Sequence, residues 1–126
     1  MTVLDASVLI AHFDVGDAHH ADARALLAGL TSVLVVSPLT MAEVLVGPTR
    51  SGDPAVIVAA VADLGVHEVR LPDDAAPRLA ALRVETRLRL PDCCVLLAAQ
   101  DADRQLATFD QRLALAGRSR GLTVVG

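Results

Sequence analysis

The chain opens with MTVLDASVLIAHF, residues 1–13, and this segment indicates how the protein folds. Residues 1–4 form a short apolar run that is typical of a buried strand, and residues 6–13 carry the apolar spacing of a helix. Asp5 is therefore predicted at the carboxyl end of a strand, where the chain turns into a helix. The segment predicts one β-α unit with a carboxylate at the edge of a sheet.

The remainder of the chain repeats this alternation of strand and helix. Further strands are predicted at residues 33–36, 67–71, 105–109 and 122–125. They are continuous apolar runs instead of alternating patterns, which is typical of parallel strands covered on both faces. We therefore predict an α/β fold, a three-layer α/β/α sandwich with a mostly parallel central sheet. Ligands of such sheets bind beyond the carboxyl ends of the strands.

Capping residues and helix breakers predict where the helices begin and end. Asp17 is a candidate N-cap of the second helix, and Ser37, followed by a proline, is a candidate N-cap of the third. Residues 47–54 are rich in Gly and Pro and predict a loop. Residues 93–102 predict a helix that is apolar nearly all round, so we expect it at the centre of the fold.

Length and composition suit one globular domain, residues 1–126, because 53% of the residues are hydrophobic and 21% are charged. The longest apolar run, residues 93–99, is much shorter than the roughly 18 to 20 residues that cross a bilayer. The first residues do not resemble a signal peptide. We expect a cytoplasmic protein with no membrane segment. Cys93 and Cys94 are adjacent in sequence and are predicted to be buried and free, because neighbouring side chains of a helix point in different directions.

All eleven basic residues are arginine. The lack of lysine excludes Schiff-base catalysis and P-loop phosphate binding. It also argues against a phosphoaspartyl receiver domain, which has a similar length and alternation but needs a lysine. The formal net charge of -4 argues against a simple nucleic-acid-binding module. If several of the acids bind metal, however, the charge of the other surface residues is close to zero, and the net charge does not exclude contact with nucleic acid.

Four acidic residues lie beside apolar strands or helices that are far apart in sequence: Asp5, Glu43, Asp92 and Asp110. Carboxylates placed in this way can converge at one edge of a sheet. Two carboxylates about 5 Å apart repel each other by about 3 kcal/mol at an effective dielectric constant of 20, so such a cluster needs protons or a cation. Mg²⁺ and Mn²⁺ prefer oxygen ligands and activate water for phosphodiester hydrolysis.

Each candidate residue also has a purely structural interpretation. Asp5, Asp92 and Asp110 are all suitable helix N-caps, but their joint placement favours a function. Glu43 has apolar neighbours and is expected to be partly buried. Arg83, Arg87 and Arg89 are predicted to form either a strip that binds RNA phosphates or an exposed helix face. Arg112 is predicted to bind phosphate or to form a surface ion pair. We expect Asp101 and Asp103 at the end of a helix, Phe13 and Phe109 in the core, and the histidines at the surface or in packing contacts: His12, His19 and His20.

The acidic segments resemble those of a known family. The segments are VLDASVLIA at residues 3–11, the helix that carries Glu43, LPDCCVLLAA at residues 90–99 and LATFD at residues 106–110. Together they resemble the four acidic motifs of PIN-domain ribonucleases. Their order and the chain length are most similar to the VapC toxins of bacterial toxin–antitoxin pairs, and the resemblance spans almost the whole chain.

The resemblance implies a site and a function. Asp5, Glu43, Asp92 and Asp110 would bind Mg²⁺, or alternatively Mn²⁺, with Asp5 and Asp92 as direct ligands. Asp110 belongs to the most variable motif and can act through water. Ser7 and Thr108 match the hydroxyl positions that hydrogen-bond the carboxylates or metal-bound water.

The implied activity is a Mg²⁺-dependent endoribonuclease, the toxin of a type II toxin–antitoxin system, which cleaves RNA to inhibit translation and growth. The implied partners are an RNA substrate and a cognate VapB-type antitoxin whose tail enters the active-site groove. The implied assemblies are a homodimer, and a heterotetramer or larger complex with antitoxin. Two alternatives stay open: a non-catalytic PIN-fold binding partner, and an RNA-processing nuclease without an antitoxin.

Overall fold

The computed structural model of the protein describes residues 1–101 and 104–126. Within these residues the strands are β1 (Thr2–Leu4), β2 (Leu34–Val36), β3 (Val66–Glu68), β4 (Gln105–Ala107) and β5 (Val124–Val125). The helices are α1 (Ala6–Phe13), α2 (His20–Gly29), α3 (Pro38–Ser51), α4 (Pro54–Asp63), α5 (Ala75–Thr86), α6 (Leu90–Gln100) and α7 (Gln111–Ser119). Asp103, one of the weighed candidates, lies outside the described residues.

The strands form one parallel sheet in the order β3-β2-β1-β4-β5. Val3 of β1 is opposite Val35 on one side and Leu106 on the other. From β1 the chain first places β2 and β3 on one side, and it then places β4 and β5 on the other side. The carboxyl ends of β1 and β4 therefore lie on either side of the point where the direction of strand addition changes. Open α/β sheets bind their ligands at this switch point.

The two faces of the sheet carry separate hydrophobic cores, because successive residues of a strand point to opposite faces. Val3 and Leu106 belong to the core that is covered by α5, α6 and α7. Leu4 and Ala107 belong to the core on the other face, under α1 to α4. The three-layer α/β/α prediction is confirmed.

Helix α6 is the most deeply buried helix of the described chain. Every residue from Asp92 to Ala99 is buried, and Leu96 and Leu97 are fully inaccessible. Truncating such a leucine to alanine typically costs about 2 to 5 kcal/mol. Cys93 and Cys94 are buried and free, as predicted. The apolar pattern of this segment therefore correctly predicted a central helix.

The prediction of a loop at residues 47–54 was wrong for residues 47–51, and only residues 52 and 53 separate α3 from α4. Helix α3 continues to Ser51 with Pro48 inside it, and it ends at Gly52, whose φ of 94° is favourable for glycine. A proline inside a helix costs about 3 kcal/mol. Tertiary packing outweighs this cost, because Val44 of α3 and Ile57 of α4 share the core under this face.

Two predicted helix starts also moved. Asp17 does not cap α2. Its backbone carbonyl accepts from the N–H of His20 at 3.1 Å, and its carboxylate accepts from the N–H of His19 at 2.8 Å. These bonds form a turn before the helix. Helix α6 begins at Leu90 instead of Cys93, so Asp92 lies in its first turn and Arg89 occupies the N-cap position. Of the helices within residues 1–101 and 104–126, none combines the length and the apolar character that a membrane span requires.

Candidate functional site

Asp5 occupies the N-cap position of α1, yet its carboxylate does not cap the helix. Its Oδ2 atom accepts hydrogen bonds from the Ser7 hydroxyl at 2.7 Å and from the Thr108 hydroxyl at 2.8 Å. The residue is only 5% exposed. Hydrogen bonds to an ionised acceptor are among the strong ones in proteins. The two hydroxyls therefore fix this carboxylate at the sheet edge.

The same hydroxyls join α1 to the segment that follows β4. The backbone N–H of Phe109 donates to the Ser7 Oγ atom at 3.1 Å. The backbone N–H of Asp110 donates to the Thr108 Oγ1 atom at 3.0 Å. The bonds from Phe109 to Ser7 and from Thr108 to Asp5 connect the ends of β1 and β4, and the switch point is therefore one hydrogen-bonded unit.

Glu43 and Asp92 face this unit from α3 and α6. Burial raises the pKa of the Glu43 carboxyl, and repulsion from the charge of Asp5 raises it further. Arg89 lowers this pKa, and Asp92 has a smaller upward effect. Burial also raises the pKa of the Asp92 carboxyl, and the charge of Asp5 is again the next cause. The negative charge of Asp5 therefore acts on both Glu43 and Asp92, which places the three acids in one electrostatic neighbourhood.

A guanidinium group spans two of these acids. The Arg89 Nη2 atom lies 3.8 Å from Glu43 Oε2, and its Nε atom lies 3.9 Å from Asp92 Oδ2. The Arg89 side chain is 73% exposed, and an exposed ion pair contributes about 0 to 1 kcal/mol. Arg89 thus lowers the pKa of both carboxyls without removing the upward effect of their burial.

Asp110 is used differently from the other acids. Its Oδ1 atom accepts from the backbone N–H groups of Arg112 at 2.9 Å and Leu113 at 3.0 Å, so it caps α7. The residue is exposed. Its charge reaches the site as one of the smaller causes that raise the pKa of Asp92. Asp110 is therefore the N-cap of α7, as its structural interpretation predicts.

The predicted arginine strip is only partly beside the acids. Arg89 contacts two of them, and Arg112, at the start of α7, is close enough to Asp92 to lower the pKa of its carboxyl. Arg87 is exposed at the end of α5 with a φ of 60°, a conformation that costs a non-glycine residue about 1 kcal/mol or more. Asp101 is held by Arg78 at 2.8 Å and is not part of the site.

The donor chemistry of the site fits a hard divalent cation. The acids supply oxygen ligands, and burial with mutual repulsion raises the pKa of Glu43 and Asp92, which a bound cation would reverse. In residues 1–101 and 104–126, no three His, Cys, Asp or Glu side chains are grouped as ligands of a single ion. The acids are thus electrostatic neighbours, and their role as metal ligands stays a prediction.

One feature of this edge was missed by sequence reasoning. His19 and Phe109 stack with ring centroids 4.7 Å apart and planes 5° from parallel. Phe109 is half-buried and packs against the core, so the prediction that it belongs to the core is confirmed in part. The rings come from distant parts of the chain, and no local pattern in either segment indicates that they meet.

Residues 2–118 match the model of the PIN domain. The chain belongs to the PIN-domain family, whose members are nucleases. The match covers most of the chain and both halves of the sheet.

Several solved structures share the fold. A toxin–antitoxin complex from Klebsiella pneumoniae matches with a TM-score of 0.73 and 27% identity, covering 87% of each chain. The sarcin-ricin loop cleaving toxin VapC20 of Mycobacterium tuberculosis matches with a TM-score of 0.78 and 22% identity over 93% of this chain and 95% of its own. VapBC2 from Rickettsia felis, bound to a promoter DNA fragment, matches with a TM-score of 0.70 and 14% identity over 98% of this chain and 96% of its own. A comparison with curated proteins found no match.

Proposed function

We propose that this protein is a divalent-metal-dependent endoribonuclease. The observation that carries the proposal is the environment of Asp5, a buried carboxylate held by two hydroxyls at the switch point of the sheet. Its charge raises the pKa of both Glu43 and Asp92. A cation bound at this edge would offset the repulsion that Asp5 exerts on the other two acids, and the membership in a family of nucleases supports such a site.

Mg²⁺ or Mn²⁺ would be held by Asp5 and Asp92, with Glu43 as a close third carboxylate and Asp110 acting through water. When bound, such an ion lowers the pKa of water and stabilises charge on a phosphate. Ser7 and Thr108 keep Asp5 oriented toward that ion. Arg89 and Arg112 would bind RNA phosphates beside the acids, and Arg87 would extend this basic surface.

A partner protein is proposed to cover the site. An apolar groove of about 240 Å³ lies between α1, α3 and α4, and it is lined by Ile10, Phe13, Asp14, Glu43, Val44, Gly47, Pro48 and Ile57. Glu43 belongs to both the groove and the acidic site. A peptide with apolar residues for the groove and a cation for Glu43 would therefore block access to the acids.

This peptide is proposed to be the tail of a cognate VapB-type antitoxin, and the protein the toxin of a type II pair. Support comes from the toxin–antitoxin complexes among its structural neighbours. The toxin would form a homodimer, and a heterotetramer or larger assembly with antitoxin. In the cytoplasm, RNA cleavage by the single domain would inhibit translation and arrest growth.

RNA cleavage in vitro tests the nuclease proposal. The purified protein is incubated with RNA and Mg²⁺ or Mn²⁺, with and without EDTA, beside Asp5→Asn. Asp63→Asn is the matched control, because Asp63 is exposed at the end of α4, before β3, and therefore lies toward the opposite edge of the sheet. Cleavage should require the metal, disappear in Asp5→Asn and persist in Asp63→Asn. Cleavage that survives EDTA, or full activity of Asp5→Asn, would refute the proposal.

Co-expression with the product of the adjacent gene tests the toxin proposal. Induction of the toxin alone should arrest growth, and the partner should restore it. Ile10→Glu places a charge in the groove and should abolish this rescue, while Val84→Glu, an equally drastic change at an exposed site of α5, should not. Growth that never depends on the neighbouring gene would favour an RNA-processing nuclease without an antitoxin.

A further inference from the structure

We propose that His19 and Phe109 form a binding subsite for one nucleobase of the RNA substrate, an inference that rests on the proposed ribonuclease function. Phe109 packs against the core under the α1–α4 face and so provides a fixed support. The imidazole of His19 lies flat against it, with the ring planes 5° from parallel. Since the His19 side chain is still 52% exposed, the pair offers a supported ring at the surface.

A cavity adjoins this pair and has the size and lining that a base requires. Its volume is about 470 Å³, within the range of pockets that bind small molecules. The lining residues are His19, Asp22, Ala25, Leu26, Phe109, Gln111 and Gly126. Rings and apolar side chains suit the faces of a base, while the amide of Gln111 can donate to and accept from its edge.

The subsite is rigidly connected to the acidic site. The N–H of Phe109 donates to the Ser7 hydroxyl, and that hydroxyl donates to the Asp5 carboxylate. Thr108, directly before Phe109, makes the second hydrogen bond to Asp5. A base held at this cavity therefore belongs to a nucleotide close to the bond that the acids would cleave.

The scarcity of aromatic residues makes this pair more informative. The sequence has no Trp or Tyr and only two Phe. Phe13 meets His12 edge-on and lines the apolar groove instead. In residues 1–101 and 104–126, His19 and Phe109 are the only rings in a parallel stack. Among the aromatic side chains of these residues, this pair is therefore the one arranged to extend a stack to a base of single-stranded RNA.

RNA binding by non-cleaving protein tests the subsite. In the Asp5→Asn background, the affinity for a fluorescent single-stranded decamer is measured by anisotropy for His19→Ala, His19→Phe and the control His67→Ala, an exposed histidine on β3. His19→Ala should weaken binding about 5- to 100-fold, the usual effect of losing one base–aromatic stack. His19→Phe should stay within about threefold of the parent, and His67→Ala should not change.

A second series uses decamers in which each base in turn is removed. One abasic position should weaken binding to the parent protein and have no further effect on His19→Ala, which is the coupling expected of a direct stack. Equal losses in both proteins at every position would overturn the subsite, as would an unchanged affinity of His19→Ala. A His19→Ala variant that binds RNA normally but loses the antitoxin would assign the pair to the protein partner instead.

Failure of the subsite is distinguishable from failure of the nuclease. If the wild-type protein cleaves RNA in a metal-dependent manner and His19→Ala behaves like it, only the subsite is refuted. If the wild-type protein neither binds nor cleaves RNA, both proposals fall. Misfolding of His19→Ala is checked by thermal unfolding, and it is not expected because the His19 side chain makes no capping bond to α2.

Discussion

The ends of β1 and β4 are chemically alike and are used in opposite ways. Each strand is followed by an aspartate at the N-cap position of the next helix, Asp5 directly after β1 and Asp110 three residues after β4. Asp5 is buried and is held by side-chain hydroxyls, whereas Asp110 is exposed and caps the helix through two backbone N–H groups.

The difference shows that tertiary partners decide what such an aspartate does. The hydroxyl of Thr108, from the far end of the sequence, reaches Asp5 because β1 and β4 are neighbours in the sheet. A carboxylate that does not serve its own helix keeps acceptor capacity for another ligand. We therefore propose that Asp5 contributes more to the function of the site, while Asp110 contributes mainly to the stability of α7.

The largest contrast is expected in catalysis. Asp5→Asn removes the central charge of the proposed metal site and should lower RNA cleavage about 10³-fold or more, because metal binding supplies several kcal/mol of charge stabilisation. Asp110→Asn preserves the cap and should stay within about tenfold of wild type. Initial cleavage rates at saturating Mn²⁺ measure both. Equal losses would contradict the division of roles.

A smaller effect is expected from the helix that Asp110 caps. Arg112 lies at its start, beside the acids, and Arg118 lies in its last turn. Arg112→Gln should weaken RNA binding about three- to tenfold and reduce the slope of log affinity against log salt by about one, as expected for a lost phosphate contact. Arg118→Gln is the matched control. Anisotropy titrations at several salt concentrations compare them, and identical slopes would exclude a phosphate contact by Arg112.

Stability tests the capping role directly. Asp110→Ala removes both hydrogen bonds to the start of α7 and should lower the free energy of unfolding by about 1 kcal/mol. Asn is as good an N-cap as Asp, so Asp110→Asn should change it by less than about half of that. Urea unfolding in EDTA measures both, and a larger loss in the Asn variant would show that the charge, not the cap, is what matters.

The smallest effect concerns the pH dependence of the buried acid Asp92. Its pKa is raised in the folded protein by burial and by Asp5, so the fold favours its protonated form. The contribution of this group to stability is present below its unfolded pKa, near pH 4, and is lost as the pH rises through the higher folded pKa. Without divalent ions, Asp92→Asn should therefore match wild type near pH 4 and exceed it at pH 7 in urea unfolding. A variant that is less stable than wild type at pH 7 would contradict this.

Much of the fold could be predicted from local pattern. Apolar runs located the strands, and the all-round apolar character of α6 predicted its central position. The error at residues 47–54 has a physical cause: Gly and Pro lower helix propensity locally, while the packing of α3 against α4 is decided by residues elsewhere. Local helix propensity does not include the stabilisation that this tertiary packing provides.

The sequence predicted which acids belong to the site better than it predicted the contacts that these and the neighbouring residues make. Acids beside apolar segments pointed to Asp5, Glu43 and Asp92, which the structure places as electrostatic neighbours. The cap formed by Asp110 was available from the sequence as its structural interpretation, because Asp is a good N-cap before a helix. The stack of His19 on Phe109 depends on the meeting of distant segments, and no spacing in the sequence indicates it.

Calorimetric titration with Mn²⁺ tests the central claim most directly, that Asp5 and its neighbouring acids form a divalent-metal site. Wild-type protein and Asp110→Asn should both bind the ion, while Asp5→Asn should lose binding by at least about a hundredfold, as expected when a direct charged ligand is removed. The folded state of each variant is checked by its thermal unfolding in EDTA. Equal affinity of Asp5→Asn and wild type would contradict the account.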